Sequence, residues 1–225
     1  MNYGVLTKSH LFQGLSEEEI QSLLADVPTE VKVYKKEEVV FYLSDFAGQL
    51  GIVLSGAILV SKIFESGKLV EMTTKRAGDL IGEVACFSGA QIYPCELSAE
   101  KSAEVLIIQK DDMIQILQQD SRVLQNFLSE LCSQSFFLHR KIELLSYKGT
   151  DQKLAYFLLQ QSKTRNSDVV PLPGSIVKLA LLMNVSRTTL HREIRNLEDQ
   201  GVLKYEKKKF QILDREALEE VLSED

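Results

Sequence analysis

Basic and hydroxyl side chains are concentrated in one stretch of the C-terminal third of the sequence. Between Ser175 and Leu213 the chain has eight basic and four acidic residues, a local charge of +4, although the whole chain carries a net charge of −6. Guanidinium groups donate paired hydrogen bonds to phosphate and to guanine, and hydroxyl and ammonium groups bind phosphate oxygens. The residue types of this stretch therefore predict binding to nucleic acid rather than catalysis.

Two short helices joined by a tight turn are predicted to position these side chains. Ser175 starts the first helix, Asn184 tolerates the left-handed backbone of the turn, and Ser186 caps a second helix that continues to Gln200. Small Ala180 lets the two helices cross closely. This pattern is typical of a helix-turn-helix, whose second helix enters the major groove of DNA.

A basic hairpin is predicted to follow the second helix. Strand-like residues flank Glu206–Lys209, and we interpret this hairpin as a wing. A lysine run is usually a solvated turn, but its place beside a recognition helix favours contact with phosphates. Alternatively, the helix-turn-helix contacts protein rather than DNA. The predicted DNA-binding residues are Ser186, Arg187, Thr188, Thr189, His191, Arg192, Arg195, Lys207, Lys208 and Lys209.

Leucine recurs every seven residues in a segment without glycine or proline, from Asp111 to about Tyr147. A further seam position follows three of these leucines at a distance of four residues, which makes an a/d seam over three heptads. The seam predicts a two-chain coiled coil, in which polar Ser135 weakens the contact locally and sets the register. The alternative is one long helix packed on its own domain. The predicted dimer-interface residues are Leu124, Leu128, Leu131, Ser135, Leu138, Ile142 and Leu145.

Short β-branched runs, such as Ile52–Leu54 and Ile58–Val60, are separated by glycines in the first half of the sequence. Regularly spaced short strands with glycine turns predict an antiparallel barrel or roll. Before them, Ser16 and Glu19 form a predicted capping box at the start of a short amphipathic helix. Charge also divides the chain, because residues up to Lys148 include 14 basic and 20 acidic side chains, whereas the remainder has 12 of each.

Composition excludes several other classes of protein. The longest apolar runs are far shorter than a membrane span, and Met1–Gln13 lacks the apolar core and cleavage site of a signal peptide, so we expect a cytoplasmic protein. Three cysteines without a CxxC pair supply neither a structural zinc site nor a four-thiolate cluster. The sequence also lacks the GxGxxG, GxxxxGK[ST], GxSxG and HExxH motifs, and we expect no enzyme activity.

The order of these segments resembles the superfamily of the cyclic-AMP receptor protein and the fumarate-nitrate reduction regulator, and the resemblance covers nearly the whole chain. The most specific match is the recognition helix, where the sequence reads Val-Ser-Arg-Thr-Thr-Leu-His-Arg over Val185–Arg192. No single segment would suffice alone. The other matching residues are Leu11–Leu15, Gly56 and Gly67 in roll turns, Gly78–Glu83 before the effector loop, Leu197–Gly201, and Ile212–Asp214 at the end of the wing.

The resemblance implies an α+β fold in three parts. Residues 1–116 would form an effector-sensing antiparallel β-roll of the cyclic-nucleotide-binding type, a double-stranded β-helix. Residues 117–148 would form a dimerisation helix and hinge, and residues 149–225 a winged helix-turn-helix domain. The implied partners are a near-palindromic double-stranded DNA, a second copy of the chain, RNA polymerase and a small-molecule effector. Glu37 and Ser44 stand where the family usually turns on glycine, so distorted roll turns are expected.

The residues that clamp the cyclic phosphate in the cyclic-AMP-binding members are missing from this sequence. In those members Arg-Ser follows eleven residues after the glycine that matches Gly82, whereas this chain has Tyr93 and Pro94 there. A neutral phenol cannot replace a guanidinium, and proline lacks both a hydroxyl and a backbone N–H. Leu138 and His139 likewise stand where those members offer hydroxyls to the adenine. We therefore predict an effector other than cyclic AMP.

An apolar pocket edged by aromatic side chains remains, and it would suit a small aromatic or carboxylated metabolite. Alternatively, Phe87 and Tyr93 fill the roll interior and the regulator is constitutive or responds to another signal. A thiol switch at Cys86 and Cys95 is a further alternative. We expect no haem and no iron–sulfur cluster, because no cysteine precedes Cys86 and no histidine lies in the roll. The predicted effector-binding residues are Gly82, Glu83, Phe87, Tyr93, Pro94, Leu138 and His139.

Overall fold

The structure, a computed structural model, describes residues 3–64 and 69–223 except for the side chain of Ile63. Gly67, a predicted turn glycine, lies outside these residues. The chain divides between Ser133 and Gln134 into two compact units. This division falls inside the long helix, upstream of the hinge predicted near residue 148.

Antiparallel strands of the first unit form one rolled sheet. In the described part of the chain, they are β1 (Thr29–Tyr34), β2 (Val39–Phe41), β3 (Gln49–Ile63), β4 (Leu69–Arg76), β5 (Leu80–Ile81) and β6 (Glu96–Gln109). Neighbouring strands follow the order β1, β6, β3 and β4, while β2 pairs with β6 and β5 pairs with β3. The predicted antiparallel roll is therefore confirmed.

Side chains of the sheet alternate between two cores with the two-residue period of a β-strand. In β3, Leu50 and Ile52 face the helices of the unit, whereas Val53 and Ile58 face the roll interior. Residues 105–108 of β6 alternate in the same way. Both faces of these strands are buried, which explains why the sequence shows short continuous apolar runs here.

Two apolar runs that the sequence separates belong to one strand. Ile52–Leu54 and Ile58–Val60 both lie in β3, which passes through Gly56 without reversing. Gly56 has a φ of 84°, and a Cβ atom there would collide with the backbone of Ser102 and Ala103. Gly56 thus permits a register shift and a close approach between β3 and β6. The prediction that Gly56 lies in a roll turn is wrong, because it lies within β3.

Glu37 and Ser44 occupy the roll turns in which glycine was expected. Both take the left-handed conformation that glycine favours, with φ values of 69° and 68°. The Glu37 N–H donates to the Ala99 carbonyl at 2.7 Å, and the Ser44 N–H donates to the Tyr93 carbonyl at 2.9 Å. The left-handed backbone of each residue costs about 1 kcal/mol of conformational free energy. Both turns form at this cost, and the expected distortion is not observed.

Short helices cover the outer face of the sheet in the first unit. The capping box predicted at Ser16 and Glu19 is confirmed, with each backbone N–H donating to the other side chain. Leu11, Phe12 and Ile20 are fully buried between these helices and the sheet. The helical segments are α1 (Tyr3–Leu6), a 3-10 turn (His10–Phe12), α2 (Glu17–Ala25), α3 (Glu83–Phe87) and α4 (Lys110–Gln119).

The long helix is α5 (Ser121–Ser146). It begins after Asp120, whose carboxylate accepts a hydrogen bond from the Arg122 backbone N–H at 2.8 Å, and it lies within the segment 117–148 that is predicted to form the dimerisation helix and hinge. The Asn126 amide donates to the Leu11 carbonyl at 3.1 Å. This bond ties the first half of α5 to the N-terminal segment.

The second unit is a winged helix-turn-helix built on its own apolar core. Its elements are α6 (Thr150–Arg165), β7 (Val169–Pro171), α7 (Ile176–Leu182), α8 (Arg187–Asp199), β8 (Leu203–Glu206), β9 (Lys209–Ile212) and α9 (Arg215–Ser223). The three strands form a sheet in the order β7, β9, β8. Arg215 anchors α9 by donating to the Asp168 carboxylate at 2.6 Å.

The last turns of α5 belong to this second unit. Leu144 is 4% exposed and packs in the winged-helix core. The Tyr156 hydroxyl of α6 donates to Glu143 Oε2 at 2.6 Å, and the rings of Tyr147 and Tyr156 lie 5.4 Å apart. Among the described residues, helices are all too short or too polar to cross a membrane.

Candidate nucleic-acid interface

The helix-turn-helix consists of α7 and α8. Asn184 has a φ of 53°, the left-handed conformation predicted for the turn. The Ser175 hydroxyl accepts a hydrogen bond from the Lys178 N–H at 3.2 Å, and the Ser186 hydroxyl accepts one from the Thr189 N–H at 3.0 Å. Both predicted helix caps are confirmed, and they fix where each helix begins.

Apolar side chains hold α8 against the core of its unit. Leu190, Ile194 and Leu197 are almost fully buried, at the spacing of three and four residues that defines one face of a helix. Ala180 of α7 is also buried, which agrees with the predicted close approach of the two helices. The opposite face of α8 is left to solvent.

Basic side chains cover this solvent face of α8. Arg187, Arg192 and Arg195 are exposed, and His191 is half-buried. Together with Thr188 they line a shallow groove along the helix. Three guanidinium groups on one face attract the phosphate backbone, and the guanidinium fork matches the O6 and N7 acceptors of guanine.

Arg192 is held in a defined orientation by an acidic neighbour. Its Nε donates to Oε1 of Glu193 at 3.0 Å, and Oε2 of Glu193 accepts from the Asn196 amide at 3.0 Å. The Arg192 side chain is 69% exposed, whereas that of Glu193 is 15% exposed. The sequence predicted Arg192 as a DNA-binding residue but missed Glu193 as its partner and Asn196 as the partner of Glu193.

Hydroxyl groups cluster where α8 begins. The Ser186 hydroxyl oxygen lies 2.7 Å from the Thr188 hydroxyl and 2.8 Å from that of Thr189. The first turn of a helix presents backbone amides and the positive end of its dipole, which together favour phosphate. This end of α8 therefore combines hydroxyl donors with an anion-binding helix terminus.

The wing is the hairpin of β8 and β9. Glu206 and Lys209 pair in register, so Lys207 and Lys208 form a two-residue turn. Their φ values of 50° and 61° are those of a type I′ turn. All three lysines are exposed, and they form a basic tip as predicted. The predicted DNA-binding residues thus lie on two elements of one unit, α8 with its cap and the wing tip.

The predicted dimer seam forms an apolar stripe on α5. Leu128, Leu138 and Ile142 are 51%, 57% and 68% exposed. Leu131 differs, because it is half-buried and packs against the core of the first unit. The remaining seam residues, which are also exposed, are Leu124, Ser135 and Leu145.

Tyr93, the central residue of the predicted effector pocket, is part of the roll interior. It is 2% exposed, and its ring stacks on Phe41 with centroids 4.5 Å apart. Its hydroxyl donates to the Gln49 carbonyl at 2.6 Å, and burial raises its pKa. A Cβ atom at Gly82 would lie 2.8 Å from Phe41 and 3.2 Å from Tyr93. Tyr93 is therefore one of the core side chains inside the roll.

Two further effector candidates lie on α3. Glu83 is 3% exposed, and Phe87 packs edge to face against Phe127 of α5 with ring centroids 5.1 Å apart. The Lys110 ammonium lies 5.5 Å from the Phe87 ring centre. Phe127 is therefore an α5 residue in contact with Phe87 of α3, and the sequence did not predict this contact. Its signal was an aromatic residue one position before the seam leucine Leu128.

The other predicted effector residues are on the surface. Pro94 is exposed beside the roll. Leu138 and His139 are exposed on the part of α5 that belongs to the second unit. Within the first unit, the structure therefore brings Gly82 and Tyr93 together.

The thiols are poorly suited to a redox switch. Cys86 is fully buried, and this burial raises its pKa to about 11. The Cys95 sulfur lies 3.3 Å from the Met72 sulfur, and burial raises the pKa of this thiol as well. The thiolate is the reactive form, so burial makes both groups less reactive than an exposed thiol. Among the described residues, no three metal-ligating side chains come together.

A rolled antiparallel sheet, a long helix and a winged helix-turn-helix with a basic recognition helix define a class of DNA-binding regulators. Family models match both ends of this chain, a "Cyclic nucleotide-binding domain" over residues 31–120 and a "Crp-like helix-turn-helix domain" over residues 152–221. The chain belongs to the superfamily of the cyclic-AMP receptor protein and the fumarate-nitrate reduction regulator. It is a DNA-binding transcription regulator and not an enzyme.

Known relatives share this architecture at low sequence identity. The chain is 22% identical to the Cyclic AMP receptor protein of Thermus thermophilus over 213 residues, covering 95% of this chain and 96% of the relative. The crystal structure of the Thermus thermophilus Catabolite Activator Protein has a TM-score of 0.57 at 22% identity and covers 95% of this chain and 98% of its own. The global regulator CLP of Xanthomonas campestris, described as c-di-GMP responsive, has a TM-score of 0.51 at 21% identity, covering 86% and 97%.

Proposed function

We propose that the protein is a homodimeric, sequence-specific transcription regulator that reads a near-palindromic DNA site through α8. The observation that carries this proposal is the solvent face of α8, where Arg187, Arg192 and Arg195 project beside a capped helix terminus. Bound at a promoter, such a regulator would act on RNA polymerase.

Base contacts and phosphate contacts divide between different residues. Arg187 and Arg192 lie on the first half of α8, and we assign them to guanine O6 and N7, each contact being worth about 1 to 3 kcal/mol of discrimination. Ser186, Thr189 and the wing lysines would hold phosphates and set the position of the helix. Many relatives have a glutamate at the position of Thr188. We therefore expect the half-site of this protein to differ at the base pair that this glutamate contacts.

The exposed seam of α5 supports the proposed dimer. Apolar side chains as large as Leu138 and Ile142 are more than half exposed in the single chain. Two copies that pair through this stripe would bury it and supply two recognition helices. Recognition helices of such dimers lie about 34 Å apart, one turn of DNA, which is why the site should be near-palindromic.

We further propose that a small molecule other than cyclic AMP gates DNA binding, without haem or an iron–sulfur cluster. The phosphate clamp is replaced by Tyr93, which is buried against Phe41, and by Pro94. Relatives with this fold carry names that refer to two different nucleotides, cyclic AMP and c-di-GMP, so the fold by itself does not determine the effector. A small aromatic or carboxylated metabolite remains the proposed class.

Selection from a randomised pool of duplex DNA tests the reading of DNA by the full-length protein. We expect enrichment of a two-fold symmetric site, and we expect Arg192→Ala to relax one base position by about tenfold while other positions keep their preference. Arg165→Ala removes an exposed charge from α6 and serves as the matched control. No enrichment of any sequence would favour the alternative that the helix-turn-helix contacts protein.

A further inference from the structure

We infer that Glu193 is a positioning residue that aims the guanidinium of Arg192 at a single base. The inference deepens the proposed function, because it assumes that Arg192 reads DNA. Its basis is the pair of bonds in which Glu193 accepts from Arg192 Nε and from the Asn196 amide, both at 3.0 Å.

The bond to Nε selects which side of the guanidinium can face DNA. A guanidinium has two hydrogen-bonding edges suited to paired acceptors, one formed by Nε with a terminal amino group and one formed by the two terminal amino groups. Glu193 occupies Nε of Arg192, so the edge with both terminal amino groups remains for guanine O6 and N7. The side chain is 69% exposed and can reach a base in this orientation.

The carboxylate of Glu193 is itself held in place. Side chains of adjacent helix residues do not normally face each other, whereas those three apart do. Asn196 lies three residues after Glu193 and donates to one of its carboxylate oxygens. The other oxygen accepts from Arg192 and directs that side chain along the helix. Because the Glu193 side chain is only 15% exposed, water competes less for these bonds than at a fully exposed pair.

Ordering Arg192 before binding lowers the cost of recognising a base. A long side chain loses rotamer freedom when it is immobilised, and a side chain already held by its neighbour loses less. A carboxylate on a DNA-facing helix also repels phosphate, which weakens binding to every sequence alike. Glu193 would therefore lower non-specific binding and raise discrimination at one position, both of which increase the specificity ratio.

The test measures base preference at every position of the selected site for the full-length wild type and for Glu193→Ala, Glu193→Gln, Arg192→Ala and the double variant Arg192→Ala/Glu193→Ala. Asp199→Ala removes an exposed carboxylate that lines the groove beside Arg192, and it is the charge control. Asn196→Ala releases Glu193 without removing it. Circular dichroism melting curves confirm that each variant is folded.

We expect Glu193→Ala to lose about three- to tenfold of the preference at the position that Arg192→Ala relaxes, while affinity for non-specific DNA rises. Glu193→Gln should keep most of the preference, because its amide oxygen still accepts from Nε. Asn196→Ala should show a smaller loss at the same position, and the double variant no further loss beyond Arg192→Ala. Asp199→Ala should raise non-specific affinity only.

Three results would overturn the inference while leaving the proposed function intact. In the first, Glu193→Ala leaves the Arg192-dependent position unchanged although the wild type still selects a site. In the second, the losses of the two single variants add in the double variant, which means that the residues act independently. In the third, Glu193→Ala relaxes a position that Arg192→Ala does not, which means that Glu193 reads a base itself. Failure of the wild type to select any site would contradict the proposed function instead.

Discussion

Lys207 and Lys208 occupy the two central positions of the wing turn, and both have a backbone conformation that lysine rarely adopts. A type I′ turn places both residues in the left-handed region, which is why Asn-Gly is the preferred pair there. The lysine pair costs about 1 kcal/mol per residue relative to residues suited to that conformation. The side chain of Lys207 is 87% exposed, so folding gains little from it in return. The Lys207 ammonium also lies 3.6 Å from a Glu206 carboxylate oxygen, an exposed ion pair that adds little to stability, and we expect the lysine pair to contact an anionic partner.

Replacing this pair should separate stability from DNA binding. We expect Lys207→Asn/Lys208→Gly to raise the free energy of unfolding by about 1 to 2 kcal/mol in urea titrations. The same variant should bind all DNA sequences more weakly, and its log–log salt slope should be smaller by about 2, because two phosphate contacts are lost.

Lys207→Arg/Lys208→Arg keeps both the charge and the strained turn, so it should change neither quantity much. If the Asn-Gly variant kept the wild-type affinity and salt slope, the wing tip would not contact phosphates.

At the scale of elements, α5 offers the clearest test of assembly. Ile142 is 68% exposed in the single chain, so a substitution there should leave each chain folded. Ile142→Glu would place two carboxylates against each other in an apolar seam, and we expect it to weaken dimerisation by about a hundredfold or more, as measured by sedimentation equilibrium.

Ser133→Glu is the matched control for this substitution. Ser133 is exposed and lies nine residues before Ile142, which is two and a half helical turns and therefore the opposite side of α5. Leu131 is a poorer position for the test, because it packs against the core of its own unit and a charge there would also destabilise the fold. A dimer that survives Ile142→Glu would locate the interface on another surface.

Elements with local signals were predictable from the sequence, and elements defined by distant contacts were not. The limits of α7 and α8 follow from Ser175, Asn184 and Ser186, whose effects act within a few residues. The start of α5 also has a local signal in Asp120, a good capping residue. The continuity of β3 through Gly56 could not be inferred locally, because it depends on pairing with β6.

At the scale of the whole molecule, the same distinction separates the DNA-binding surface from the effector region. The face of α8 follows from helical periodicity, so its exposed arginines were identified correctly as one surface. The surroundings of Tyr93 depend on Phe41 and Gln49, which are far away in the sequence and come close only in the folded roll. Side chains that meet through tertiary packing leave no periodic signal.

Cyclic AMP should therefore bind weakly if at all to the full-length protein. Losing a guanidinium clamp removes two charge-assisted hydrogen bonds, each worth about 1.5 to 3 kcal/mol, which corresponds to roughly a hundredfold or more in affinity. We expect isothermal titration to detect no binding at micromolar cyclic AMP and the affinity for the selected DNA to stay unchanged. The Cyclic AMP receptor protein of Thermus thermophilus serves as the positive control. Micromolar binding accompanied by altered DNA affinity would contradict this prediction.

The number of residues in helix α5 also determines the direction in which its side chains point. Asn126 reaches the N-terminal segment and Leu144 enters the winged-helix core, and one uninterrupted helix joins them. Each residue turns a helix by about 100°, so one residue inserted between Leu131 and Leu138 would turn the seam side chains after it away from those before it. Seven inserted residues make almost two full turns, so they would change the direction of the following side chains by only about 20°. The exposed seam of α5 would therefore stay one continuous stripe after an insertion of seven residues, and an insertion of one residue would break it.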